Sequence, residues 1–375
     1  MNKKKFLVTF FLMAVLGALV YLQVRSWQKF DWGKFWEETH DVNLSYILAG
    51  VALIYSIYFL RALRWKILLR PVFNVNAATL VSPTMVGFTG LALLGRPGEL
   101  IRPYLIARRN KLSMSSQMAV WTVERIFDTG AFATIMAINI LVSADRLGTL
   151  PGFASGATRR VIGYHFTAFQ MFQIAAVGLL AGVAVAAALA FLIRRNPATA
   201  ASIARRLLGN VSPKLGNALA FWIQEFGEGL NTVHDAKAFL QLSLLSLLIW
   251  IVIGLTYWMV TRAYTSQPVS ELSFSTVLLL TTASVVGGVL QLPVVGGGSQ
   301  LATIGTLRGI LGFSPELSTS CGMMLWLVTF MSVIPAGLIL AHRERISFIR
   351  VEKESLSEEA KLEASGKANT GNRVE

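Results

Sequence analysis

Apolar blocks close to 20 residues long constrain the fold of this sequence more than any other feature. Four of them run through residues 6–20, 44–60, 175–193 and 239–260. A helix needs about 20 apolar residues to cross the hydrocarbon core of a bilayer. Buried helices of a soluble protein would carry polar faces, which these blocks lack. The sequence therefore predicts an all-α integral membrane protein.

The charge of the chain points to lipid rather than to nucleic acid. Charged residues make up only 14% of the sequence, and the formal net charge is +14. Most Lys and Arg residues lie in short segments between apolar blocks, where they set orientation and attract anionic headgroups. The single cysteine, Cys321, excludes an internal disulfide and a multi-cysteine metal site. We expect the membrane as a partner and no nucleic acid.

The positive-inside bias predicts a multi-pass protein of the cell inner membrane with both termini in the cytoplasm. Lys3, Lys4 and Lys5 precede the first apolar run, which lacks a cleavage site and is interpreted as an uncleaved span. The last span ends at Arg343 and Arg345. About six full spans are predicted, at 6–24, 44–62, 117–143, 168–193, 238–262 and 317–341.

The spans form one predicted polytopic domain, residues 1–345, with halves of about 1–167 and 168–345. Apolar residues at helical spacing in 217–230 predict an amphipathic helix lying on the membrane or on the spans. The charged tail 346–375 has almost no apolar residues and is expected to be disordered.

Two apolar segments, Ala77–Tyr104 and Ser275–Phe313, are interrupted by glycine and proline. These residues break helices, so each segment predicts a broken helix or re-entrant hairpin. Broken backbone at membrane depth is tolerated where protein or a water-filled cavity surrounds it. Two such segments in corresponding halves, entering from opposite faces, predict an inverted repeat with a substrate site between them.

Charged residues inside membrane segments are costly, so they are candidates for function. Arg96, Glu99 and Arg102 cluster at the first break, where a guanidinium group suits phosphate oxygens. The alternative is an arginine–glutamate pair that only fixes the hairpin. We interpret all three as substrate-binding candidates.

A second charged group lies near the start of the span 117–143. Glu124 and Asp128 are four residues apart and share a helical face, and Arg125 can reach Asp128. The two carboxylates need cationic partners, either at the first break or at the basic end of span 44–62. Under the second alternative they form a purely structural ion network.

Five further residues complete the predicted substrate site. Arg61 and Arg64, next to Trp65, are either headgroup ligands or ordinary interfacial anchors. In the second broken segment, backbone donors near Gly297 and the Gln300 amide can meet a polar headgroup. Arg308, on the same segment, is an unusual charge among glycines.

The sequence lacks the common enzyme constellations. It has no Walker P-loop, no dinucleotide fingerprint and no nucleophile elbow. None of the four histidines is paired with a carboxylate at metal-ligand spacing. We therefore expect no cofactor, no metal and no ATP-driven pump.

Four motifs carry a resemblance to a known family. They are Arg-Ala-Leu-Arg-Trp at 61–65, Gly-Arg-Pro-Gly-Glu-Leu-Ile-Arg-Pro at 95–103, Val-Glu-Arg-Ile-Phe-Asp at 123–128 and the glycine-rich segment 293–300. In order and spacing the chain resembles, over about residues 5–345, the transmembrane domain of lysylphosphatidylglycerol synthases and their freestanding flippase-like relatives. The family pattern in the last motif has a second proline and a glutamate, whereas this chain has Val295 and Gln300.

The resemblance implies movement of anionic, aminoacylated or isoprenoid-linked lipids between leaflets. It does not imply synthase activity, which resides in a separate soluble domain. The leading hypothesis is thus a lipid translocase of the bacterial inner membrane in which Arg96 and Arg102 engage the headgroup phosphate. Glu99, Glu124 and Asp128 would position these arginines.

Two alternatives remain at this stage. One is a membrane enzyme acting on a lipid-linked substrate, with one of the same carboxylates as acid or base. The other is a non-catalytic subunit that assists a separately encoded lipid or glycan synthase. We favour a transporter over an enzyme.

Overall fold

The computed structural model describes residues 30–71, 73–154, 158–161, 164–209, 236–289 and 297–344, with the isolated positions 212, 216, 217 and 220. Three predicted features lie wholly or largely outside these residues. They are the first span 6–24, the amphipathic helix at 217–230 and the tail 346–375.

Helices form nearly all of the described structure, which confirms the all-α fold. The first seven are α1 Trp32–His40, α2 Leu44–Leu69, α3 Ala77–Leu94, α4 Ile101–Asn110, α5 Met114–Val142, α6 Ala144–Gly148 and α7 Pro151–Ala154. The next seven are α8 Ala168–Arg195, α9 Pro197–Gly209, α10 Ala236–Arg262, α11 Phe274–Val289, α12 Gly297–Gly309, α13 Pro315–Trp326 and α14 Val333–Arg343.

Short irregular elements connect some of these helices. 3₁₀ turns cover Arg96–Leu100 and Pro268–Glu271, and one π-helical turn, Leu327–Met331, joins α13 to α14. The strands β1 Thr158–Val161 and β2 Tyr164–Thr167 pair antiparallel in a small hairpin, in the loop that the topology prediction places outside.

Six helical stretches in the described part of the chain are long and apolar enough to cross a membrane. They are α2, α3, most of α5, most of α8, α10 and the continuous stretch Pro315–Arg343. The number of membrane-length helices agrees with the six predicted spans, but one of the six is a different segment. Span 6–24 is not among the described residues, and α3, predicted as a hairpin arm, qualifies through its own length and composition.

The outer surface of these helices is apolar, as a bilayer requires. Along α8, the side chains of Val177, Val185 and Leu189 are exposed. Such a continuous exposed apolar surface is rare on soluble proteins and typical of a face that contacts lipid. The chain is therefore a multi-pass membrane protein.

Local sequence signals explain where several helices begin. The hydroxyl of Ser113 accepts the N–H of Ser116 at the start of α5. Thr167 and Gln170 form a reciprocal capping box at the start of α8. Such caps satisfy backbone donors that lack a partner within the helix.

At the first break, α3 and α4 fold back against each other. Gly95, with φ of 72°, ends α3 in a conformation that favours glycine. The 3₁₀ turn then brings Gly98 against the backbone of Gly90, where a Cβ atom would overlap it. Arg109 donates to the Thr79 carbonyl oxygen at 3.3 Å, so the two helices remain in contact over several turns.

At the second break, α11 and α12 also pack closely. A Cβ atom on Gly287 would overlap Gly298 and Ala302, so the two helices approach each other directly through their backbones. Gly297 begins α12 with φ of 61°. The helix pair on either side of each break is thus established, whereas re-entrant insertion from opposite faces and the inverted repeat stay predictions.

Helix α1 and the preceding Asp31 contact the N-terminal part of α13 through partly buried polar groups. The Thr39 and Ser320 hydroxyl groups lie 2.8 Å apart, and the Asp31 N–H donates to Glu316 at 3.3 Å. Glu38 is also buried there, and its Oε2 has no hydrogen-bond partner among the described residues.

We predict that Gly287→Ala destabilises the contact between α11 and α12. The added methyl group must displace backbone atoms of α12, and such overpacking typically costs about 1–3 kcal/mol. The matched control is Gly130→Ala in α5, where a Cβ atom meets nothing within 4 Å. A lower melting temperature in detergent for the first variant alone is expected. Equal stability of both variants would contradict the close packing.

Glu38 gives a prediction for pH dependence. Burial, and secondarily the nearby Glu316 and Glu37, raise the pKa of its carboxyl above 4.5, although Lys34 opposes this. The folded state then binds the proton more tightly than the unfolded chain does. Stability from this group is present below pH 4.5 and is lost as pH rises through the raised pKa.

Glu38→Gln should therefore raise the melting temperature at pH 8 and change it little at pH 4. Thermal unfolding in detergent at both pH values measures this, with the exposed Glu37→Gln as control. A destabilising effect of Glu38→Gln at pH 8 would contradict the prediction.

Candidate functional site

Three arginines and two carboxylates form a buried cluster, here called the ion cluster. Arg61 and Arg64 come from α2, Arg102 from α4, and Glu124 and Asp128 from α5. The two carboxylates share one face of α5, as their spacing predicted, and both contact Arg64. All five side chains are at most 10% exposed.

Arg64 is the central residue of the ion cluster and is fully buried. It donates to Glu124 and to Asp128, each at 2.6 Å. A further bond of 2.9 Å reaches the hydroxyl of Ser246 on α10. One guanidinium group thus connects α2, α5 and α10, a geometry for which its planar donors are suited.

Arg102 connects the first break to the ion cluster. It donates through both terminal nitrogens to the two oxygens of Glu124. Its guanidinium lies 4.2 Å from the centre of the Trp65 ring, and Phe88 lies on another side at 5.5 Å. Arg102 is 3% exposed and does not line the largest-volume cavity described below, whereas its ion pair with Glu124 links α4 to α5.

Arg61 is the least tightly held arginine of the ion cluster. Its described bond to Asp128 is 3.5 Å long and uses one of the five guanidinium N–H donors. The rest of the group lies over Phe88, 4.8 Å from the ring centre. Three arginines face two carboxylates, so the cluster holds one excess positive charge when both acids are ionised.

A looser ion pair lies beside the cluster. Arg125 approaches Glu99 at 3.9 Å, and both side chains are partly exposed. Arg125 also lies 5.5 Å from the ring centre of Trp121. Glu99 thus pairs with Arg125 and not with an arginine of its own segment among the described side chains.

A cavity of about 1200 Å³, here called the central cavity, is lined by residues of both broken segments. Gly95, Pro97 and Glu99 line it from the first break, and Gly297 and Gln300 from the second. Ligand pockets commonly have volumes of roughly 300–1,000 Å³, so this cavity can admit a lipid headgroup. Arg61 lies on its wall.

The second half of the chain contributes uncharged polar side chains to the central cavity. Tyr257 on α10 donates to the Ser284 hydroxyl at 2.7 Å, and Ser284 lies 2.6 Å from the Ser299 hydroxyl. These three residues, with Gln300 and Thr303, line the central cavity. The wall they form is neutral and rich in hydrogen-bonding groups.

The structure places the remaining predicted residues as follows. Arg308 is exposed near the end of α12 and does not line the central cavity. Arg96 begins the 3₁₀ turn, and its side chain lies outside the described part of the structure. Arg64 and Trp65 are fully buried, so the alternative of interfacial anchors fails for both.

Sequence reasoning did not identify Phe88, Ser246, Tyr257 and Ser284 as part of the site. Ser246 and Tyr257 lie on α10, far from the breaks in sequence, and no local motif marks them. Phe88 and Ser284 lie several residues before the two glycine-rich breaks. Their position on the helices that flank the breaks is the sequence signal that could have identified them. In the described residues, no group of three or more His, Cys, Asp or Glu side chains is arranged to hold a metal.

We predict that Arg64→Leu destabilises the fold severely. It leaves buried Asp128 with only the long bond from Arg61 and removes one of the two arginine partners of Glu124, and breaking such a buried pair costs roughly 3–5 kcal/mol. Arg64→Lys should rescue little, because a single ammonium cannot reproduce the contacts to both carboxylates and Ser246. Melting temperatures of the purified variants measure this, with exposed Arg308→Leu as control. A stable Arg64→Leu protein would show that the cluster is not structural.

Comparisons with known proteins agree with this architecture. A glycosyltransferase named AglD from Haloferax volcanii is 27% identical over 212 residues, which cover 55% of this chain and 34% of that protein. The alignment therefore spans about a third of the relative. No solved structure matches. The sequence model described as the lysylphosphatidylglycerol synthase TM region matches residues 6–337. The chain therefore belongs to the family of the lysylphosphatidylglycerol synthase transmembrane region.

Proposed function

We propose that this protein moves a phosphate-bearing lipid between the leaflets of the bacterial inner membrane, with its headgroup passing through the central cavity. The observation that carries the proposal is the position of Arg61 on the wall of a cavity bounded by both helix breaks. Two broken segments meeting around one site are typical of secondary transporters.

The excess charge of the ion cluster supports an anionic group as the ligand. Arg64 and Arg102 are committed to Glu124 and Asp128 by short or bidentate bonds. Arg61 has one long described bond and retains donors for phosphate oxygens. A phosphate at Arg61 would offset the unmatched positive charge, which is costly at membrane depth.

The proposal changes the roles predicted for the arginines. Arg102 positions the first break through Glu124, and Arg61 binds the phosphate, the role that was predicted for Arg102. Arg96 stays a second candidate at the phosphate, because it lies between cavity-lining Gly95 and Pro97. The acyl chains would remain in the bilayer while the headgroup crosses.

Membership of the family supports a function in lipid chemistry, and the glycosyltransferase name of the Haloferax relative is compatible with a lipid-linked substrate. We further propose cytoplasmic termini, because the basic residues of the predicted loops favour that orientation.

The test is lipid movement in proteoliposomes with a panel of labelled lipids. The panel contains phosphatidylglycerol, an aminoacylated derivative, phosphatidylethanolamine and an isoprenoid phosphate. Arg61→Gln should slow movement of the accepted lipid roughly tenfold or more, because one or two charge-assisted hydrogen bonds are lost. Arg61→Lys should retain part of the rate, and Arg96→Ala should also reduce it.

Arg308→Gln is the matched control, since it removes an arginine outside the central cavity. Movement that is unchanged in Arg61→Gln would contradict the mechanism. Absence of movement for every lipid with the folded protein would reject translocation. Chemical conversion of a lipid would favour the membrane enzyme, and copurification with a synthase would favour the accessory subunit.

A further inference from the structure

The central cavity has two chemically different walls. Arg61 supplies positive charge on one side, whereas Ser284, Ser299, Gln300 and Thr303 supply neutral hydroxyl and amide groups on the other. A phosphate satisfies the first wall only. The second wall suits a headgroup component with several neutral hydrogen-bonding groups.

The hydroxyl chain Tyr257–Ser284–Ser299 leaves one hydroxyl donor for a ligand, whichever of the two serines donates to the other. Tyr257 donates to Ser284. When Ser284 in turn donates to Ser299, the proton of Ser299 is free to point elsewhere. Ser299 is partly exposed and lines the cavity, so its hydroxyl can donate to a ligand oxygen. Gln300 offers both a donor and an acceptor, as a sugar hydroxyl does.

Aromatic residues complete the lining in a manner that suits a sugar ring. Trp250 and Trp326 both line the central cavity. An indole presents a broad apolar face together with a polar edge, which matches the C–H faces and hydroxyl edges of a sugar. The Trp250 indole N–H donates to the backbone carbonyl oxygen of Asp128 at 3.0 Å, which fixes the orientation of the ring.

The charges of the described lining disfavour two other headgroups. The excess positive charge of the ion cluster, which includes Arg61, would repel an ammonium group, and Glu99, which also lines the cavity, is paired with Arg125. A diphosphate would bring more negative charge than the described cationic lining, Arg61, can match. A single phosphate joined to a neutral sugar fits both walls.

We propose that the headgroup is a glycosyl phosphate, with the phosphate at Arg61 and the sugar against Ser284, Ser299 and Gln300. This inference rests on the proposed function, since it assumes that the central cavity receives a lipid headgroup. It names the class of lipid as a phosphoglycolipid with one phosphate.

The test measures equilibrium binding to the full-length protein in detergent, separately from movement in proteoliposomes. The probes are a polyisoprenyl monophosphate bearing one hexose, the same lipid without the hexose, a polyisoprenyl diphosphate and aminoacylated phosphatidylglycerol. The hexose-bearing lipid should bind roughly tenfold more tightly than the lipid without it. Equal binding, or tighter binding of the diphosphate or the aminoacylated lipid, would overturn the inference.

Two variants locate the sugar contact. Ser284→Ala should remove most of the preference for the hexose and leave binding of the sugar-free phosphate unchanged. The control is Thr282→Val, on the same helix. The Thr282 hydroxyl bonds to Met136 and Leu278, and Thr282 does not line the cavity. This control variant should keep the preference. Melting temperatures verify that both variants fold.

Binding and movement together separate the two proposals. A preference for the hexose without any lipid movement supports the glycosyl phosphate headgroup and rejects translocation. Movement of all phosphate lipids with equal affinity supports translocation and overturns the headgroup assignment. Gln300→Glu adds a second readout, because its negative charge next to the sugar and phosphate should weaken glycolipid binding severalfold.

Discussion

The contact of Arg64 with Glu124 and Asp128 is the interaction on which the rest of the site depends. Three ionised groups in a membrane domain are costly unless they are paired and hydrogen-bonded, and here each carboxylate reaches the same guanidinium group at 2.6 Å. The arrangement fixes α2 against α5, and Ser246 adds α10. Through Glu124 it also holds Arg102, so the first helix break takes its position from a charge network in the protein core.

The second break is held by different means. No charged side chain described in α11 or in α12 up to Thr306 takes part. Instead, Gly287 allows direct backbone contact with α12, and the hydroxyl groups of Ser284 and Ser299 join across the pair. The central cavity therefore has a cationic wall supported by ion pairs and a neutral wall supported by close packing. This asymmetry gives the chain the means to distinguish two parts of one headgroup.

The sequence predicted the membrane class, because apolar blocks of bilayer length are a local property. It also predicted the residues of the ion cluster, since charges in apolar segments stand out and a spacing of four places Glu124 and Asp128 on one face. Which arginine pairs with which carboxylate could not be predicted in the same way. Whether Arg61, Arg64 or Arg102 faces the cavity depends on how α2 and α4 rotate against α5, which is decided by tertiary packing. The contributions of Ser246 and Tyr257 from α10 are likewise decided by tertiary packing.

Photocrosslinking tests the central claim, a headgroup cavity shared by both breaks, most directly. The protein would be placed in lipid nanodiscs with a phospholipid that carries a photoreactive group beside its phosphate, and the adducts would be mapped by mass spectrometry. We predict adducts in both 95–100 and 297–303, and their loss in Arg61→Gln. Adducts confined to the lipid-facing surface of α8 and insensitive to Arg61 would contradict the account.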